Sequence, residues 1–233
     1  MKKIVTSAAF ILTTAFSVAQ DSYTIKMTTK VEGLPAEYAA FAESEVVTYI
    51  KGDKIKSETS SMMGSQIRLF DGKLHTFLSD AMGKKSGYTA TTEEMEAVAK
   101  TEKGEAKPKI EYTTEKKTIA GYECTKAVIT SMGKDGKENK IITWVTDKIK
   151  FDMSKAKKGS KNDMFDFGDL KGYPLEMYMV RLQEGKEIKI TISTTEVSTK
   201  ALDDSTFVAS TAGYTMSTYK EEMEKMKSMR GGN

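Results

Sequence analysis

The chain has 233 residues with one cysteine, 30% charged residues and a formal net charge of +3. This length suits one domain with a sizeable core, and the near-even charge argues against a nucleic-acid-binding protein, which would carry a concentrated basic excess. A single cysteine excludes an internal disulfide, so we expect the stability of the fold to come from its hydrophobic core.

Residues 1–19 are typical of a secretory signal peptide. Two lysines supply the positive start, residues 4–16 are apolar, and Ser17-Val18-Ala19 supply the small side chains that signal peptidase requires. The apolar run is too short and too rich in threonine to be a permanent membrane span. We therefore expect cleavage between Ala19 and Gln20. The mature chain, residues 20–233, should be a single domain that is periplasmic or secreted, with no transmembrane segment.

Short extended segments dominate the chain up to residue 90. Apolar and polar residues alternate in them with the two-residue period of a β-strand. Asp71-Gly72 is a strong hairpin signal between two of these segments, and Pro35 favours a short helix over residues 35–41. The predicted strands cover residues 23–29, 46–50, 54–60, 67–70, 74–78 and 84–90.

The middle of the chain begins with the clearest helix signal. Thr91 and Glu94 fit a capping box, and apolar residues follow at helical spacing. In the strands that come next, Trp144 shares a face with Ile142, and Cys124 is better explained as a buried side chain than as a reactive thiol. These further strands are predicted over residues 110–114, 122–130 and 141–146.

Residues 147–171 interrupt this rhythm with a long connection. Its first part is rich in lysine, and its second part is apolar and includes Phe165 and Phe167. Connections of this length are often lids or binding loops, which predicts a mobile rim formed by the two phenylalanines. A plain solvated loop is the alternative, since a run of charges usually forms a solvated surface.

The segment from residue 173 to residue 197 is the clearest hairpin of the chain. Its two strands alternate strictly and are joined by Glu184-Gly185-Lys186, in which the glycine can adopt the positive φ of a tight turn. One face of such a hairpin is apolar and the other is polar, as in an antiparallel sheet that is covered on one side. The apolar face is formed by Leu175, Met177, Met179, Ile188, Ile190 and Ile192. After a turn at residues 202–205, a last short strand is expected at residues 213–216. An amphipathic helix follows over residues 219–230.

Residues with catalytic chemistry are scarce. His75 is the only histidine, which excludes a multi-histidine zinc site, and a structural or surface role explains it best. No Gly-x-Ser-x-Gly motif occurs, and three aspartates at 163, 166 and 169 lack the alternating pattern of an EF-hand. We therefore predict no enzyme activity, no metal and no cofactor.

Three sequence blocks of the chain resemble a known family. They are KTIAGYEC (117–124), ITWVT (142–146) and GYPLEM (172–177), with a matching end at LDDSTF (202–207) and AGY (212–214). On these blocks the chain is similar to the exported bacterial domain-of-unknown-function family numbered 4412, whose members look related in fold to the periplasmic lipoprotein carriers of the LolA and LppX type. This resemblance implies a half-open antiparallel barrel with helices across a concave mouth and an apolar ligand cavity. The chain differs in its 35–41 and 147–171 segments.

These observations predict a mainly β, α+β fold: a curved antiparallel sheet or half-open barrel with two or three helices. The expected function is an exported soluble protein that holds a lipid or other hydrophobic group, with methionine, a shape-adapting residue, in its wall. The alternative is a structural or protein-interaction module of the cell envelope with a solid core and no ligand, bound to an envelope partner. The candidate cavity residues are the six of the hairpin together with Trp144, Phe165 and Phe167.

Overall fold

The computed structural model describes residues 22–35, 38, 41–100, 108–132, 138–151, 170–183 and 186–230. Within these residues the protein is mostly β, with two α-helices, α1 (Thr92–Lys100) and α2 (Tyr219–Arg230), and a 3-10 turn over Asp204–Phe207. The twelve strands of this described part are β1 (Ser22–Glu32), β2 (Ser44–Lys51), β3 (Lys54–Ser61), β4 (Gly64–Phe70), β5 (Leu74–Ala81), β6 (Lys84–Thr91), β7 (Lys109–Ile119), β8 (Tyr122–Met132), β9 (Glu138–Thr146), β10 (Tyr173–Gln183), β11 (Lys186–Ser198) and β12 (Thr215–Ser217).

All of these strands belong to one open, curved sheet with the order β12-β6-β5-β4-β3-β2-β1-β11-β10-β9-β8-β7. Neighbours along this order are antiparallel except β12, which runs parallel to β6. Strand β1 lies at the centre of this order, between β2 and β11, with six strands on the β2 side and five on the β11 side. Strand β12 corresponds to the short strand expected at residues 213–216, but its parallel pairing differs from the all-antiparallel sheet predicted from sequence.

The two faces of the sheet differ in composition. We call the face that carries Tyr23, Ile25, Met27 and Met177 the core face, and the opposite one the back face. A cluster of buried residues covers the core face from β1 to the β8–β10 strands, and each fully buried aliphatic side chain contributes about 1.5–3 kcal/mol. This main cluster consists of Tyr23, Ile25, Met27, Ile50, Ile119, Cys124, Ile129, Ile149, Tyr173, Leu175, Met177 and Ile192.

The described ends of the long connection belong to this core. Ile149 is a buried member of the main cluster, and Phe151 and Leu170 are half-buried against it. Residues 152–169 lie outside the described part of the chain, and with them the predicted lid and its two phenylalanines, Phe165 and Phe167. Residues 1–19, which are predicted to be a signal peptide, also lie outside it.

Both helices pack at the other end of the strand order, against β6. A second cluster joins Ala90, Met95 and Tyr219, and the Tyr219 ring lies 5.2 Å from the ring of Tyr88. Each helix begins with a capping box. In α1 the predicted box is confirmed, since the Thr91 amide donates to Glu94 Oε2 at 2.7 Å and the Glu94 amide donates to Thr91 Oγ1 at 3.2 Å.

The chain crosses the back face between β11 and β12, through residues 199–214. Asp204 accepts from Lys51 Nζ at 3.1 Å and from Lys54 Nζ at 3.3 Å, and Phe207 of the same segment is buried. Since both lysines alternate with the core-face residues Ile50 and Ile55, they lie on the back face. The crossing therefore ties the central strands to the β6 edge.

The turn after β3 brings two hairpins together. Gly64 has φ +130°, and a Cβ at this position would lie 1.9 Å from the carbonyl oxygen of Asp80, so only glycine permits this approach. The Met82 amide donates to the Met63 carbonyl oxygen at 3.2 Å. The β3–β4 and β5–β6 turns consequently lie side by side. In the connection that precedes β2, the described residues Tyr38 and Phe41 are helical, as predicted for residues 35–41.

Candidate ligand-binding face

The β10–β11 hairpin places its six apolar residues on the core face. Met177 pairs with Ile192, and Met179 pairs with Ile190. Leu175 and Met177 are essentially inaccessible, at 0% and 1% exposure, while Ile190 is half-buried. The strict alternation of the sequence therefore corresponds to a real division between an apolar face and a polar one.

These six residues divide into two groups along the strands. As far as the described residues define it, the main cluster contains Leu175, Met177 and Ile192. Met179, Ile188 and Ile190 continue the same apolar face beyond that cluster, toward the end of the hairpin at which Gln183 pairs with Lys186. We call these three residues the distal stripe. Met179 and Ile188 are buried at 5% and 8% exposure.

Trp144 lies on the back face, away from the distal stripe. It pairs with Glu176 in β10, whereas its neighbour Thr143 pairs with Met177 on the core face. Lys117 Nζ is 4.5 Å from the centroid of the indole ring and forms an ion pair with Glu176. The ring is half-buried, and it packs against the edge of the main cluster. Sequence alternation could not place it, because the face depends on the register between β9 and β10.

Cys124 is a buried side chain next to this ion pair. It is fully inaccessible, and its thiol donates to the carbonyl oxygen of Tyr122 at 3.4 Å. Burial raises the pKa of the Cys124 thiol to about 11, although the positive charge of Lys117 opposes this shift. A thiol with this pKa has little thiolate at neutral pH, as expected for a structural cysteine.

Several polar groups are buried on the core face, and most of them have partners. Thr48 Oγ1 lies 3.0 Å from Ser57 Oγ, and Thr143 Oγ1 donates to the Glu176 carbonyl at 3.0 Å. Burial raises the pKa of Tyr173 to about 12, and a hydrogen bond with Thr48 works against this shift. These hydrogen bonds fix side chains around the main cluster.

Thr194 is the exception among the buried side chains of the described chain. Its Oγ1 is buried without a hydrogen-bond partner, and its register partner is the apolar Met27. An unpaired buried hydroxyl costs about 1–3 kcal/mol, so this position suits a polar group of a ligand. No sequence signal identifies it, because threonine is an ordinary strand residue.

His75 has a structural role on β5. Its ring stacks on Phe70 at 4.5 Å, and Nε2 lies 3.1 Å from Thr92 Oγ1 at the start of α1. Burial lowers the pKa of His75, an effect that the charge of Asp71 partly opposes. Among the described residues no group of three or more His, Cys, Asp or Glu side chains is placed to hold a metal. The aspartates 163, 166 and 169 lie outside these residues.

A groove of about 540 Å³ lies on the β7–β9 strands, at the edge of the sheet. Half of the residues that line it are charged: Lys109, Glu111, Glu138 and Lys140. Such a lining does not suit an apolar ligand. The groove is also separate from the distal stripe of the core face.

No protein-family model matches the chain, and no curated protein matches it. The chain is similar to the solved structure of PNGF-II, with 18% identity and a TM-score of 0.47 over 88% of this chain and 34% of that one. It is also similar to MucB, with 11% identity and a TM-score of 0.38 over 82% of this chain and 58% of that one. A third similar structure is lipoprotein LppX of Mycobacterium tuberculosis, with 10% identity and a TM-score of 0.32 over 78% of this chain and 90% of that one. The chain thus spans about a third of the first protein and less than two thirds of the second.

Each of these TM-scores is below 0.5. Membership of the domain-of-unknown-function family numbered 4412 stays a prediction, since no family model matches. In the described part of the chain, neither α1 nor α2 has the length and apolar character of a membrane-crossing helix.

Proposed function

We propose that this protein is an exported binding protein that holds a lipid or another hydrophobic group against the core face of its curved sheet. The observation that carries the proposal is the distal stripe, in which Met179, Ile188 and Ile190 extend the apolar face beyond the main cluster. An acyl chain on this stripe would gain roughly 0.8 kcal/mol for each methylene removed from water. The methionine can adjust its shape to chains of different form.

We further propose that the curved sheet forms a half-open barrel with helices across its mouth, as expected from the sequence. The packing of α1 and α2 against β6 supports it, since Met95 and Tyr219 bury the last antiparallel strand of the sheet. Thr194 Oγ1 offers a hydrogen bond to a polar group of the ligand. In this proposal Phe165 and Phe167 form the rim. Trp144, on the back face, supports the wall from behind and does not touch ligand.

Mass spectrometry tests whether the protein carries a ligand. Mature protein purified from its native host is compared under native and denaturing conditions. We expect a near-stoichiometric hydrophobic molecule in the native spectrum and uptake of a fluorescent fatty-acid probe after its removal. A clean apoprotein that takes up no probe would refute the proposal. N-terminal sequencing of the same sample tests the predicted cleavage, with Gln20 expected as the first residue.

A pair of variants tests the distal stripe itself. Ile190→Trp places a large ring on the core face at a half-buried position and should reduce probe uptake by occupying the site. Thr191→Trp places the same ring at the neighbouring position, which faces the other side of the sheet. Equal loss of uptake in both variants, or none in either, would show that the stripe does not contact the probe.

A structural or protein-interaction module with a solid core is the second candidate. It is favoured by the packing of Leu175, Met177 and Ile192, which are all buried within the main cluster. In this case affinity purification should recover one specific envelope protein, and the chain should not take up the fatty probe. Probe uptake with no recovered partner would favour the carrier instead.

A further inference from the structure

Three methionines are exposed together at one end of the sheet. Met62 and Met63 form the turn between β3 and β4, and Met82 lies in the turn between β5 and β6. Their exposed fractions are 67%, 47% and 81%. The Met82 amide donates to the Met63 carbonyl at 3.2 Å, so the two turns are fixed beside each other. We call these three residues the methionine tip.

The backbone at Met82 gives no folding reason for this residue type. Met82 has φ +52° and Gly83 has φ +84°, a pair of left-handed residues that asparagine or glycine adopts more readily. The turn is held by Asp80, whose Oδ1 accepts from the Gly83 amide at 3.0 Å, and not by the methionine side chain. A long apolar side chain is therefore kept in water, on a backbone that disfavours it.

The turns at the opposite end of the same strands are polar. They consist of Lys51-Gly52-Asp53-Lys54 between β2 and β3 and Asp71-Gly72-Lys73 between β4 and β5. At the end with the methionine tip, the connection before β2 adds two more exposed aromatic side chains, Tyr38 and Phe41, at 58% and 48%. It lies at this end because Ser44, the first residue of β2, pairs with Ser61. Exposed apolar side chains are therefore concentrated at one end of these strands, and the turns at the other end are mainly polar.

Lysines adjoin the methionine tip. Lys84 and Lys85 come directly after Met82-Gly83 and are exposed, and of the two only Lys85 approaches Asp80, at 3.8 Å. Protruding apolar side chains beside lysines match the boundary between acyl chains and anionic headgroups in a bilayer, where methionine enters the apolar zone and the ammonium group stays with phosphate. The area that three side chains at two turns can bury is also far smaller than the area of a standard protein–protein interface.

We propose that the methionine tip docks this end of the sheet onto an anionic lipid bilayer. Met62, Met63 and Met82 enter the headgroup boundary, and Lys84 contacts lipid phosphate. The distal stripe approaches the same end of the sheet, since Lys189 of β11 pairs with Glu32 at the end of β1. Docking requires no bound ligand, so this inference stands apart from the proposed carriage of a hydrophobic group.

Vesicle flotation of the full mature chain tests the docking. The vesicles contain phosphatidylethanolamine and phosphatidylglycerol, and a second set contains phosphatidylcholine alone. We expect the protein to float with the anionic vesicles, and the triple variant Met62→Ser, Met63→Ser, Met82→Ser to lose about tenfold or more in partitioning. The control is Leu74→Ser, which removes an exposed apolar side chain (41%) from the opposite end and should bind as the unmodified protein does.

The three tip residues are exposed, so the triple variant should keep its urea unfolding midpoint, which separates lost docking from lost folding. Failure of the unmodified protein to float, or equal flotation of the triple variant, overturns the proposal. Equal binding to phosphatidylcholine vesicles overturns the role given to Lys84. Capture of a specific protein by the tip, without any vesicle binding, also contradicts bilayer docking.

A site-specific probe gives an independent measurement. Cys124 is fully buried, so Met82→Cys provides one accessible thiol for an environment-sensitive dye. Anionic vesicles should shift the emission of this dye to shorter wavelength, and brominated lipids should quench it. The same dye on Leu74→Cys should respond to neither. A matching response at both positions would show that the apolar tip has no special contact with lipid.

Discussion

Replacing Gly33 by alanine tests how closely the end of β1 is pressed against β11. Gly33 has φ +92°, and a Cβ on it would lie 2.1 Å from the carbonyl oxygen of Glu187 and 3.1 Å from the carbonyl carbon. These are backbone atoms of β11, so no side-chain rotation relieves the clash. We expect a loss of about 2–4 kcal/mol in unfolding free energy, of which about 1 kcal/mol comes from the left-handed φ and the remainder from overpacking.

Gly121→Ala is the matched control. Gly121 has nearly the same φ, +85°, but a Cβ there would meet no atom within 4 Å. Only the backbone strain remains, so the expected loss is about 1 kcal/mol. The difference between the two variants therefore isolates the steric contact between the end of β1 and β11.

Urea unfolding, followed by far-ultraviolet circular dichroism, measures both losses. With a denaturant slope of about 2–3 kcal/mol per molar, the midpoint should fall by about 1 M for Gly33→Ala and by less than about 0.5 M for Gly121→Ala. Equal shifts in the two variants would refute the reasoning, because the clash would then contribute nothing. A destabilisation of Gly121→Ala larger than that of Gly33→Ala would contradict it as well.

Three further measurements follow from buried polar groups. Burial lowers the pKa of His75 in the folded protein, so as the pH falls the unfolded chain takes up the His75 proton before the folded protein does. The stability that the neutral ring contributes is therefore complete above about pH 6.5 and is lost as the pH falls through the lowered pKa of the folded protein. His75→Gln should remove this loss when urea unfolding midpoints at about pH 7.5 and pH 5 are compared. A pH dependence that persists unchanged in the variant would assign it to other groups. Thr194→Val removes an unpaired buried hydroxyl and should stabilise the protein by about 1 kcal/mol in urea unfolding. Thr143→Val breaks a hydrogen bond to the Glu176 carbonyl and should destabilise it. Changes of the same sign in the unfolding free energies of both variants would contradict this account. Cys124, with its pKa raised to about 11, should resist a thiol reagent in the native protein at about pH 8 and react fully in urea, and rapid labelling of the folded protein would disprove its burial.

Local signals in the sequence predicted most of the strands. Alternation located the strands on both sides of Asp71-Gly72, and the hairpin forms as expected, with the Asp71 carboxylate accepting from the amides of Lys73 and Leu74 at 2.9 Å. The capping box at Thr91 likewise located the start of α1 to within one residue. These features depend on neighbours within a few positions, which is why a sequence alone can show them.

Features set by distant partners were not predictable. The parallel pairing of β12 with β6 brings Met216 beside Gly87, and no local pattern encodes that pairing. The face of Trp144 depends on a register shift in the β9–β10 pair, which alternation within one strand cannot reveal.

The candidate site was predictable only in part. Alternation correctly grouped the six apolar residues of the β10–β11 hairpin on one face. Their division into a packed group and a distal stripe depends on contacts with β1 and on Ile149, which lie far away in the chain. The unpaired hydroxyl of Thr194 is set by its pairing with Met27, 167 positions earlier by residue number.

The central position of β1 affects how the chain can fold during synthesis. Lys26 of β1 binds Glu196 of β11 across 170 positions, so β1 leaves the ribosome long before its partner strand. The β2–β6 hairpins can form early from close neighbours, whereas the β1–β11 pairing can form only after β11 has been synthesised. A nascent chain truncated before β11 should therefore expose an unpaired, apolar β1 edge and be a substrate for chaperones.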